Sequence, residues 1–502
     1  MSGVEVGDGL ITASVHGAER YDLTFTYDAA GRETERRIGE AVTLTQNWDR
    51  GHRLTTQTIA KARHDESDRI LQHRSYAYRP DGYLTEIREL TSGVRRFDLD
   101  PVGRVTGVHA HGWTKTYAYD AAGNLTHATA PAHASPGERE FSGTIIHRAG
   151  RTTYEHDTQG RLTRRTRKLL NGQTRTWTYT WNAEDRLTDA TTPDGDHWHY
   201  TYDPLGRRIS KQRLAEDGTV AESVTFAWED TRPAEQSTPE GNHTTWDYTP
   251  DTHRPLTQTD HTSLVREPGE SLIEKFTGAD NDTTPRFHAI ITDLVGTPTE
   301  LVTAAGDLAW QHRTTLWGTD FPSGASRSTV DCPLRFPGQY ADPETGLYYN
   351  YFRHYDPETA RYVTPDPLGL EPAPNHHAYV RNPYADFDPL GLKGKNCKPS
   401  VSPVASDWAT KGAHVHVEQD EVRVFIDKDG KVAGEPIRLK STGWASDKSV
   451  KTAVDAVNND TKLRADLLAK AKSAKEHMDD HNWGNKQNRS GEMRKIIEFL
   501  ED

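Results

Sequence analysis

The chain has 502 residues, of which only 33% are hydrophobic, and it carries a formal net charge of −13 at pH 7. Globular domains usually contain about 45–50% apolar residues, so this composition argues against one large apolar core, and no apolar run reaches the ~18 residues of a transmembrane helix. Two cysteines are too few for a disulfide framework or a metal cluster, while 20 Tyr, 12 Trp and 12 Phe exclude a disordered chain.

The first part of the chain repeats a short pattern, in which an aromatic residue precedes Asp-x-x-Gly-Arg-Leu. Its copies are TYDAAGRE from Thr26, AYRPDGYL from Ala77, DLDPVGRV from Asp98, AYDAAGNL from Ala118, EHDTQGRL from Glu155, TWNAEDRL from Thr180 and TYDPLGRR from Thr201. Alternating aromatic and Thr positions favour pleated strands, and Asp-x-x-Gly supplies the turn because Gly tolerates positive φ and Asp caps its own backbone. The pattern predicts stacked β-hairpins that bury each other's aromatic side chains.

Two later stretches complete the pattern. Residues 334–370 read LRFPGQYADPETGLYYNYFRHYDPETARYVTPDPLGL, and residues 375–392 read NHHAYVRNPYADFDPLGL. Together with the repeats, they resemble the YD repeats and the Rhs-associated core of Rhs proteins. The resemblance implies a mostly β fold, in which a spiralling strip of hairpins forms a hollow shell that the end of the core plugs. Because the chain begins inside the repeats, we expect either a truncated member of the family or an open partial shell.

The resemblance also implies a variable toxin after the core, in a small α+β domain. The expected divisions are repeats over 1–330, the Rhs-associated core over 331–392, a linker over 393–404 and the C-terminal domain over 405–502. A change in composition supports the boundary after residue 392, since residues 393–502 contain 15 lysines and residues 1–392 contain five. The stretch HVHVEQDEVRVFIDKDGKVAGEPIRL predicts three strands, with Asp429-Gly430 as a hairpin turn. Helices are expected to follow, from about residue 448.

Two Asp-Pro-Leu-Gly motifs, at 366–369 and 388–391, carry the first candidate site. In the family that the chain resembles, this pair belongs to an intramolecular aspartyl protease. The resemblance therefore implies that Asp366 and Asp388 are catalytic, that the cut follows Leu392, and that Arg353 supports the site. Two carboxylates that share a proton can act as base toward water and as acid toward the leaving amide. For either motif alone, the competing interpretation is an ordinary β-turn.

The second candidate site lies in the C-terminal domain, which we expect to be a metal-independent ribonuclease. Histidine can take the 2′-OH proton near neutral pH, and a cation can stabilise the phosphorane. The candidates are His414 or His416 as base or acid, Lys440 and Arg489 as phosphate clamps, Ser441 or Thr442 as hydrogen-bond donors, Trp483 as a base-stacking platform and Arg494 as a further substrate contact. No cofactor is expected for this reaction.

A metal-binding alternative stays open for the same domain. His477 and His481 lie four residues apart on one face of an expected helix, and His414 or His416 could complete a ligand set. An acidic motif with nuclease spacing does not accompany them, which weakens this interpretation. Two non-functional interpretations of these histidines also stay open. The His-x-His stretch would be a solvent-facing strand, and HMDDHNWG would be the C-terminus of a helix that Gly484 caps. A deaminase is disfavoured because the HxE…PCxxC signature is absent.

The sequence thus favours a polymorphic toxin used in bacterial competition. Its acidic repeat body would repel phosphate, which suits a container better than a nucleic-acid binder. Expected partners are a cognate immunity protein, nucleic acid (RNA above all) and a secretion machinery, without membrane insertion. We expect a secreted or cell-surface protein whose toxin domain acts in the target-cell cytoplasm, although the N-terminal segment does not have the pattern of a standard signal peptide.

A second function, from another class, also fits the sequence. The chain could be a cell-surface carbohydrate-binding or adhesion protein with an inactive C-terminal tip. A short repeat count would leave the strip open, and aromatic-rich β surfaces bind sugars. Only the toxin hypothesis predicts that the C-terminal domain blocks bacterial growth.

Overall fold

The structure is a computed structural model that describes residues 4–7, 10–13, 22–62, 68–129, 136–262, 285–321, 330–370 and 373–392, with the strands at 414–419, 422–427 and 437–438. In these ranges the regular secondary structure is entirely β, which confirms the fold class predicted for the repeats. Within the same ranges, we find no helix with the length and apolarity needed to cross a membrane.

Twenty-seven strands form the repeat region, which we call the strip. They are β1 (Val4–Gly7), β2 (Leu10–Ala13), β3 (Leu23–Tyr27), β4 (Glu33–Ile38), β5 (Val42–Trp48), β6 (Leu54–Lys61), β7 (Arg69–Tyr78), β8 (Leu84–Glu89), β9 (Gly93–Leu99), β10 (Val105–Ala110), β11 (Trp113–Tyr119), β12 (Leu125–Thr129), β13 (Gly137–Ser142), β14 (Ile145–Ala149), β15 (Thr152–His156), β16 (Leu162–Lys168), β17 (Thr174–Trp181), β18 (Leu187–Thr191), β19 (His197–Tyr202), β20 (Arg208–Leu214), β21 (Val220–Glu229), β22 (Arg232–Ser237), β23 (His243–Tyr248), β24 (Pro255–His261), β25 (Arg286–Thr292), β26 (Pro298–Thr303) and β27 (Leu308–Gln311).

Each strand of the strip pairs antiparallel with the next one along the chain. In β5, for example, Val42 pairs with Lys61 of β6 and Leu44 pairs with Ile59. Alternate residues of β5 are buried, as expected for a sheet with one covered face. The strip is therefore a continuous meander built from local hairpins, in agreement with the repeat pattern.

The Asp-x-x-Gly-Arg turn is closed by its own first and fifth residues. In the turn after β9, Asp100 Oδ1 accepts the backbone N–H of Val102 (3.0 Å) and of Arg104 (2.9 Å). The Arg104 guanidinium donates Nε–H to Asp100 Oδ2 at 2.6 Å, and Gly103 has φ of +83°. Glycine meets this conformation without strain, so the repeat consensus follows from the geometry of its turn.

The turn arginines also connect neighbouring turns. Arg104 Nη1 donates to the carbonyl of Asp120 in the next turn at 3.4 Å, and its guanidinium lies 4.8 Å from the ring centroid of Tyr119. Equivalent bonds run from Arg32 to Asp49, from Arg53 to Arg79, from Arg79 to Asp100, from Arg161 to Asn182 and from Arg207 to Asp230. One edge of the strip is thus a ladder of linked turns.

The two ends of the strip pack together through side chains. Leu44 and Ile59 share a buried cluster with Ala289, Ile291 and Val302 from β25 and β26. Polar bridges run from Arg74 to Glu300, from Lys61 to Asp307 and from Gln57 to the carbonyl of Thr292. Although the repeats are few, the strip therefore folds back on itself.

Residues 330–370 and 373–392 form the core segment, which packs against the strip. Its strands are β28 (Tyr340–Asp342), β29 (Leu347–Asn350), β30 (Arg353–Asp356) and β31 (Arg361–Tyr362), which form one antiparallel sheet. Their aromatic side chains enter two of the buried clusters of the strip, and Leu347 enters a third. A buried ion pair, Arg208 Nη1 to Asp342 Oδ2 at 2.6 Å, joins β20 to β28.

The chain divides into two compact units, Met1–Lys393 and Gly394–Asp502. In the second unit, β32 (His414–Gln419) pairs antiparallel with β33 (Val422–Asp427), which pairs with β34 (Ile437–Arg438). These strands agree with the predicted order of strands. The expected helices and the Asp429-Gly430 turn lie outside the described residues.

Candidate active site

The candidate site lies at the tip of the β29–β30 hairpin. Asn350 and Arg353 pair across the hairpin, and Tyr351 between them has φ of +49°. The backbone N–H of Phe352 donates to the carbonyl of Leu390 at 3.1 Å, which docks the second Asp-Pro-Leu-Gly turn against this tip. The Arg353 side chain is only 1% exposed, so its charge requires partners inside the protein.

Arg353 brings the two aspartates together. Its Nη2 lies 2.7 Å from Asp366 Oδ2 and 3.5 Å from Asp388 Oδ2. The three residues that the family resemblance singled out therefore meet at a single nitrogen atom, although 35 residues separate Arg353 from Asp388.

Backbone carbonyls and an aromatic ring complete the surroundings of the guanidinium. Nη1 donates to the carbonyl of His376 at 2.9 Å, and Nε donates to the carbonyl of Gly391. The Tyr362 ring centroid lies 3.6 Å from Cζ, a distance at which the ring face attracts a cation. The arginine thus holds both turns in place and supplies positive charge between them.

The Asp388 carboxylate contacts the residue before the expected cut. The Leu392 N–H donates to Oδ1 at 3.0 Å, and the Tyr362 hydroxyl donates to Oδ2 at 2.8 Å. Burial raises the pKa of the Asp388 carboxyl above its ordinary value; Arg353 and Tyr362 oppose this effect and the nearby Asp366 charge reinforces it. Asp388 is therefore the member of the pair that retains a proton more readily than an ordinary aspartate.

Asp366 makes the shorter of the two carboxylate contacts with the Arg353 guanidinium. Its Oδ1 accepts the backbone N–H of Leu368 at 2.9 Å, while Oδ2 makes the short ion pair with Arg353. Its own N–H donates to the carbonyl of His376 at 2.8 Å, the same oxygen that Arg353 contacts. Acid–base cleavage of an amide requires a proton acceptor and a proton donor, and the two carboxyl groups beside Arg353 could fill these roles.

Gly391 allows the close approach of the second turn. Its φ is +70°, and an added Cβ would lie 2.6 Å from the carbonyl oxygen of Asn350 and 3.2 Å from the backbone nitrogen of Arg353. No side chain fits there without moving the backbone. The glycine therefore fixes the position of Leu392 relative to Asp388.

Sequence reasoning did not identify Tyr362 and Asn350. Asn350 Nδ2 donates both to the Tyr362 hydroxyl at 2.8 Å and to the carbonyl of Asp388 at 2.9 Å. Both residues stand in aromatic-rich strands, where a buried tyrosine is expected to serve packing. No spacing pattern in the sequence distinguishes them from their neighbours.

The predicted nuclease residues lie in the second compact unit. His414 and His416 lie on β32, opposite Asp427 and Phe425 of β33. Their side chains are outside the described residues, as are Lys440, Ser441, Thr442, His477, His481, Trp483, Arg489 and Arg494. In the part of the chain with described side chains, no group of three His, Cys, Asp or Glu residues is arranged to hold a metal ion.

Comparison with known proteins supplies the family. The family model described as RHS Repeat matches residues 100–135 and 181–220. A probable deoxyribonuclease, RhsB of Dickeya dadantii (strain 3937), is 32% identical over 376 residues, which are 74% of this chain and 24% of that protein. The double-stranded DNA deaminase toxin A of Burkholderia cenocepacia (strain H111) is 34% identical over 334 residues, 64% of this chain and 22% of that protein.

Among solved structures, the crystal structure of TcdB2-TccC3-TEV aligns with a TM-score of 0.41 and 17% identity over 75% of this chain and 22% of that chain. The chain spans about a quarter of the length of the curated relatives it matches. The matched RHS repeats and these curated relatives show that the chain belongs to the Rhs/YD-repeat proteins.

Proposed function

We propose that this chain is an Rhs-type polymorphic toxin that cuts its own backbone after Leu392 and thereby frees residues 393–502. The observation that carries the proposal is the meeting of two buried aspartates on one arginine nitrogen, with Asp388 also bonded to the amide of Leu392. The boundary between the compact units lies after Lys393, one residue beyond the proposed cut.

The geometry suggests a role for each carboxyl group. Asp366, ion-paired with Arg353, is the base that takes a proton from water. The water oxygen adds to the carbonyl carbon of Leu392, and Asp388 delivers its proton to the departing amide nitrogen of residue 393. The C–N bond then breaks, leaving a carboxyl group on Leu392 and a new amino terminus, with one water consumed.

The test is expression of the full chain in four forms: wild type, Asp366→Asn, Asp388→Asn and Asp203→Asn. Asp203 begins the same Asp-Pro-Leu-Gly sequence in a repeat turn, so it controls for loss of a turn carboxylate. We expect the wild type and the Asp203 variant to yield fragments 1–392 and 393–502 by intact mass. Each site variant should slow cleavage at least about 100-fold, as removal of a general acid or base does.

Two results would overturn the proposal. One is a wild-type chain that stays intact. The other is an Asp388→Asn chain that still splits at Leu392. A cut at another bond would still support self-cleavage, but it would assign the cleaved bond to a different position.

The strip supports a role as a container. Its ends pack together and its inner clusters are filled by the core segment, so cleavage would occur in a site that the folded strip holds. Residues 1–392 also hold the whole acidic excess, since residues 393–502 are slightly basic, and a negative body does not compete with the effector for nucleic acid.

The freed domain is proposed to attack nucleic acid in a competing bacterium, as a metal-independent ribonuclease. Relatives named as a probable deoxyribonuclease and a DNA deaminase toxin support a nucleic-acid target in general. The sequence candidates remain His414 or His416 for proton transfer, with the Lys440 and Arg489 cations. A metal site that uses His477 and His481 is the alternative.

Full-chain expression also tests the effector. Wild type and a His414→Ala/His416→Ala variant are induced in a bacterium, and total RNA and DNA are run on gels. RNA fragmentation that the double variant abolishes supports the ribonuclease, whereas DNA loss with intact RNA would replace it with a deoxyribonuclease. Normal growth despite cleavage at Leu392 would favour the adhesion hypothesis.

The remaining partners follow from this role. A producing cell requires an immunity protein against the freed domain, and a secretion machinery has to export the chain to a target cell. We propose that the protein is secreted or held at the cell surface and that residues 393–502 act in the target-cell cytoplasm.

A further inference from the structure

A hydrogen-bonded pair outside the aspartate–arginine trio controls how Asp388 is held. The Tyr362 hydroxyl donates to Asp388 Oδ2 at 2.8 Å, whereas Arg353 Nη2 lies 3.5 Å from the same oxygen. The tyrosine contact is the shorter of these two, and the Leu392 amide fixes the other oxygen. Rotation of the carboxyl group would break one or both bonds, so the tyrosine defines its plane.

The tyrosine is itself fixed on several sides. Asn350 Nδ2 donates to the Tyr362 hydroxyl at 2.8 Å, and the Tyr362 backbone N–H donates to the carbonyl of His377 at 2.9 Å. The next residue, Val363, accepts the N–H of Leu162 from the strip at 2.9 Å. Tyr362 has no measurable exposure, so packing leaves the hydroxyl little freedom.

We propose that Tyr362, supported by Asn350, is a positioning residue that orients the Asp388 carboxyl for self-cleavage. The inference rests on the function proposed above. Burial raises the pKa of the Tyr362 phenol well above its ordinary value, so the hydroxyl stays protonated and remains a donor. A donor to Oδ2 favours the charged form of Asp388, and its loss raises the pKa of that carboxyl further.

The pH dependence of cleavage reports this contact because, among the described residues, few titratable groups surround Asp388. The titratable or charged groups that face Asp388 or interact with Arg353 lie on four parts of the core segment. They are Arg353 on β30, Tyr362 on β31, Asp366 in the first Asp-Pro-Leu-Gly turn, and His376 and Tyr379 in the segment before the second turn. Among them, Tyr362 can lose its hydroxyl without a change of charge. The variant Tyr362→Phe therefore isolates the hydrogen bond.

The experiment follows cleavage of the full chain after cell-free synthesis. A pulse of labelled methionine marks both fragments, since Met1 lies in one and Met478 and Met493 lie in the other. The products are chased in buffers across a pH series. The matched control is Tyr355→Phe, which removes a neighbouring buried hydroxyl that donates to the carbonyl of Trp317 at 2.9 Å instead of to a carboxylate.

We expect Tyr362→Phe to slow cleavage about 10-fold and to move the alkaline limb of the rate profile to higher pH. The limb moves in that direction because an acid with a higher pKa keeps its proton longer. Tyr355→Phe should leave both rate and profile unchanged. Asn350→Ser removes the support without touching the ring, so it should act in the same direction as Tyr362→Phe and decides the question if that variant does not fold.

Other results would overturn the inference. A Tyr362→Phe profile that superimposes on the wild type, in a chain that needs Asp388, removes the positioning role while leaving the protease intact. An equal shift in Tyr355→Phe would assign the effect to core packing. A wild-type chain that stays whole overturns the protease and this role together.

Discussion

The sequence Asp-Pro-Leu-Gly occurs three times in this chain, once in a repeat turn and twice in the core segment, with different consequences. In the repeat turn, Asp203 Oδ1 accepts the N–H of Leu205 (3.0 Å) and of Arg207 (2.9 Å). The Arg207 guanidinium donates Nε–H to Oδ2 at 2.7 Å. Both oxygens of that carboxylate accept hydrogen bonds inside its own turn, while the turn's backbone carbonyls at Leu205 and Gly206 accept the hydroxyls of Tyr351 and Tyr349.

In the core segment, leucine replaces arginine at the fifth position. Asp366 and Asp388 keep part of the turn bonding, through Leu368 and Leu392 respectively, and the turn glycines keep positive φ. With Leu370 and Leu392 at the fifth positions, neither turn supplies its own cation. The Oδ2 atoms instead share Arg353 from β30, so the cation that each carboxylate contacts comes from outside its own turn.

The largest expected effect comes from the glycines of the two core turns. Gly391→Ala places a Cβ 2.6 Å from the carbonyl of Asn350, so the turn has to shift, and a misplacement of about 1 Å can cost about 100-fold in rate. Gly369 has φ of +67° with open space around it, so Gly369→Ala carries only the ~1–2 kcal/mol of left-handed strain. Cleavage of the full chain, followed on gels, should be abolished in the first and retained in the second.

Equal cleavage of these two glycine variants would contradict the idea that close approach at residue 391 positions the bond. Loss in both would mean that the two turns are equally sensitive to backbone strain. Circular dichroism of each variant checks that the strands are intact. The pair is well matched because both glycines occupy the fourth position of the same motif.

Local chemistry explains why the hairpins could be predicted. The Asp100 turn closes within five residues through bonds that the repeat itself encodes. The fifth-position difference was also visible in the sequence, since the Asp-Pro-Leu-Gly of the repeat is followed by Arg and both core motifs are followed by Leu. This contrast would have distinguished the site turns from the repeat's Asp-Pro-Leu-Gly without any family resemblance.

Long-range contacts explain what could not be predicted. Tyr362 becomes a partner of Asp388 only because β31 pairs with β30 and Asn350 caps the hairpin tip. The sequence shows it as one tyrosine among many in a tyrosine-rich run. The packing of β5 and β6 on β25 and β26 likewise depends on the curvature of the whole strip, which no single hairpin encodes.

A smaller effect follows from restoring the repeat sequence at the first core turn. Leu370→Arg recreates the fifth-position arginine, which can pair with Asp366 as Arg207 pairs with Asp203. Leu370 is 65% exposed, so the substitution should not disturb packing. An ion pair with one exposed partner contributes about 0.5–1 kcal/mol, so we expect cleavage to slow about 2–5-fold, measured as the rate in pulse-chase synthesis.

Leu370→Gln controls for the loss of leucine without adding charge, and it should cleave like the wild type. The ionic origin can be checked in 1 M salt, roughly the concentration that shortens the screening length to about 3 Å. The deficit of Leu370→Arg should shrink there. A deficit shared by the glutamine variant would mean that Leu370 itself supports the site.

The smallest effect is expected from the reverse change, Arg207→Leu, which gives the repeat turn the fifth residue of the core turns. It removes the pair with Asp203 and the bond to the carbonyl of Asp230, and should weaken β19–β20 locally by about 0.5–1 kcal/mol. Hydrogen exchange of peptides from these strands measures that loss. Asp203→Asn and the double variant complete a cycle that isolates the pair.

The direction of the pKa shift of Asp203 predicts how the stability lost in Arg207→Leu depends on pH. Burial acts to raise the pKa of Asp203, but hydrogen bonds from the Arg207 amide and guanidinium outweigh it, and the pKa of the folded carboxyl is lowered. The pair therefore contributes its stability above the unfolded pKa of about 3.9, and loses it as pH falls through the lower folded value. Wild type and Arg207→Leu should differ in exchange at neutral pH and converge on acidification. A difference that persists below the folded pKa would mean that the bond to Asp230, and not the ion pair, holds the turn.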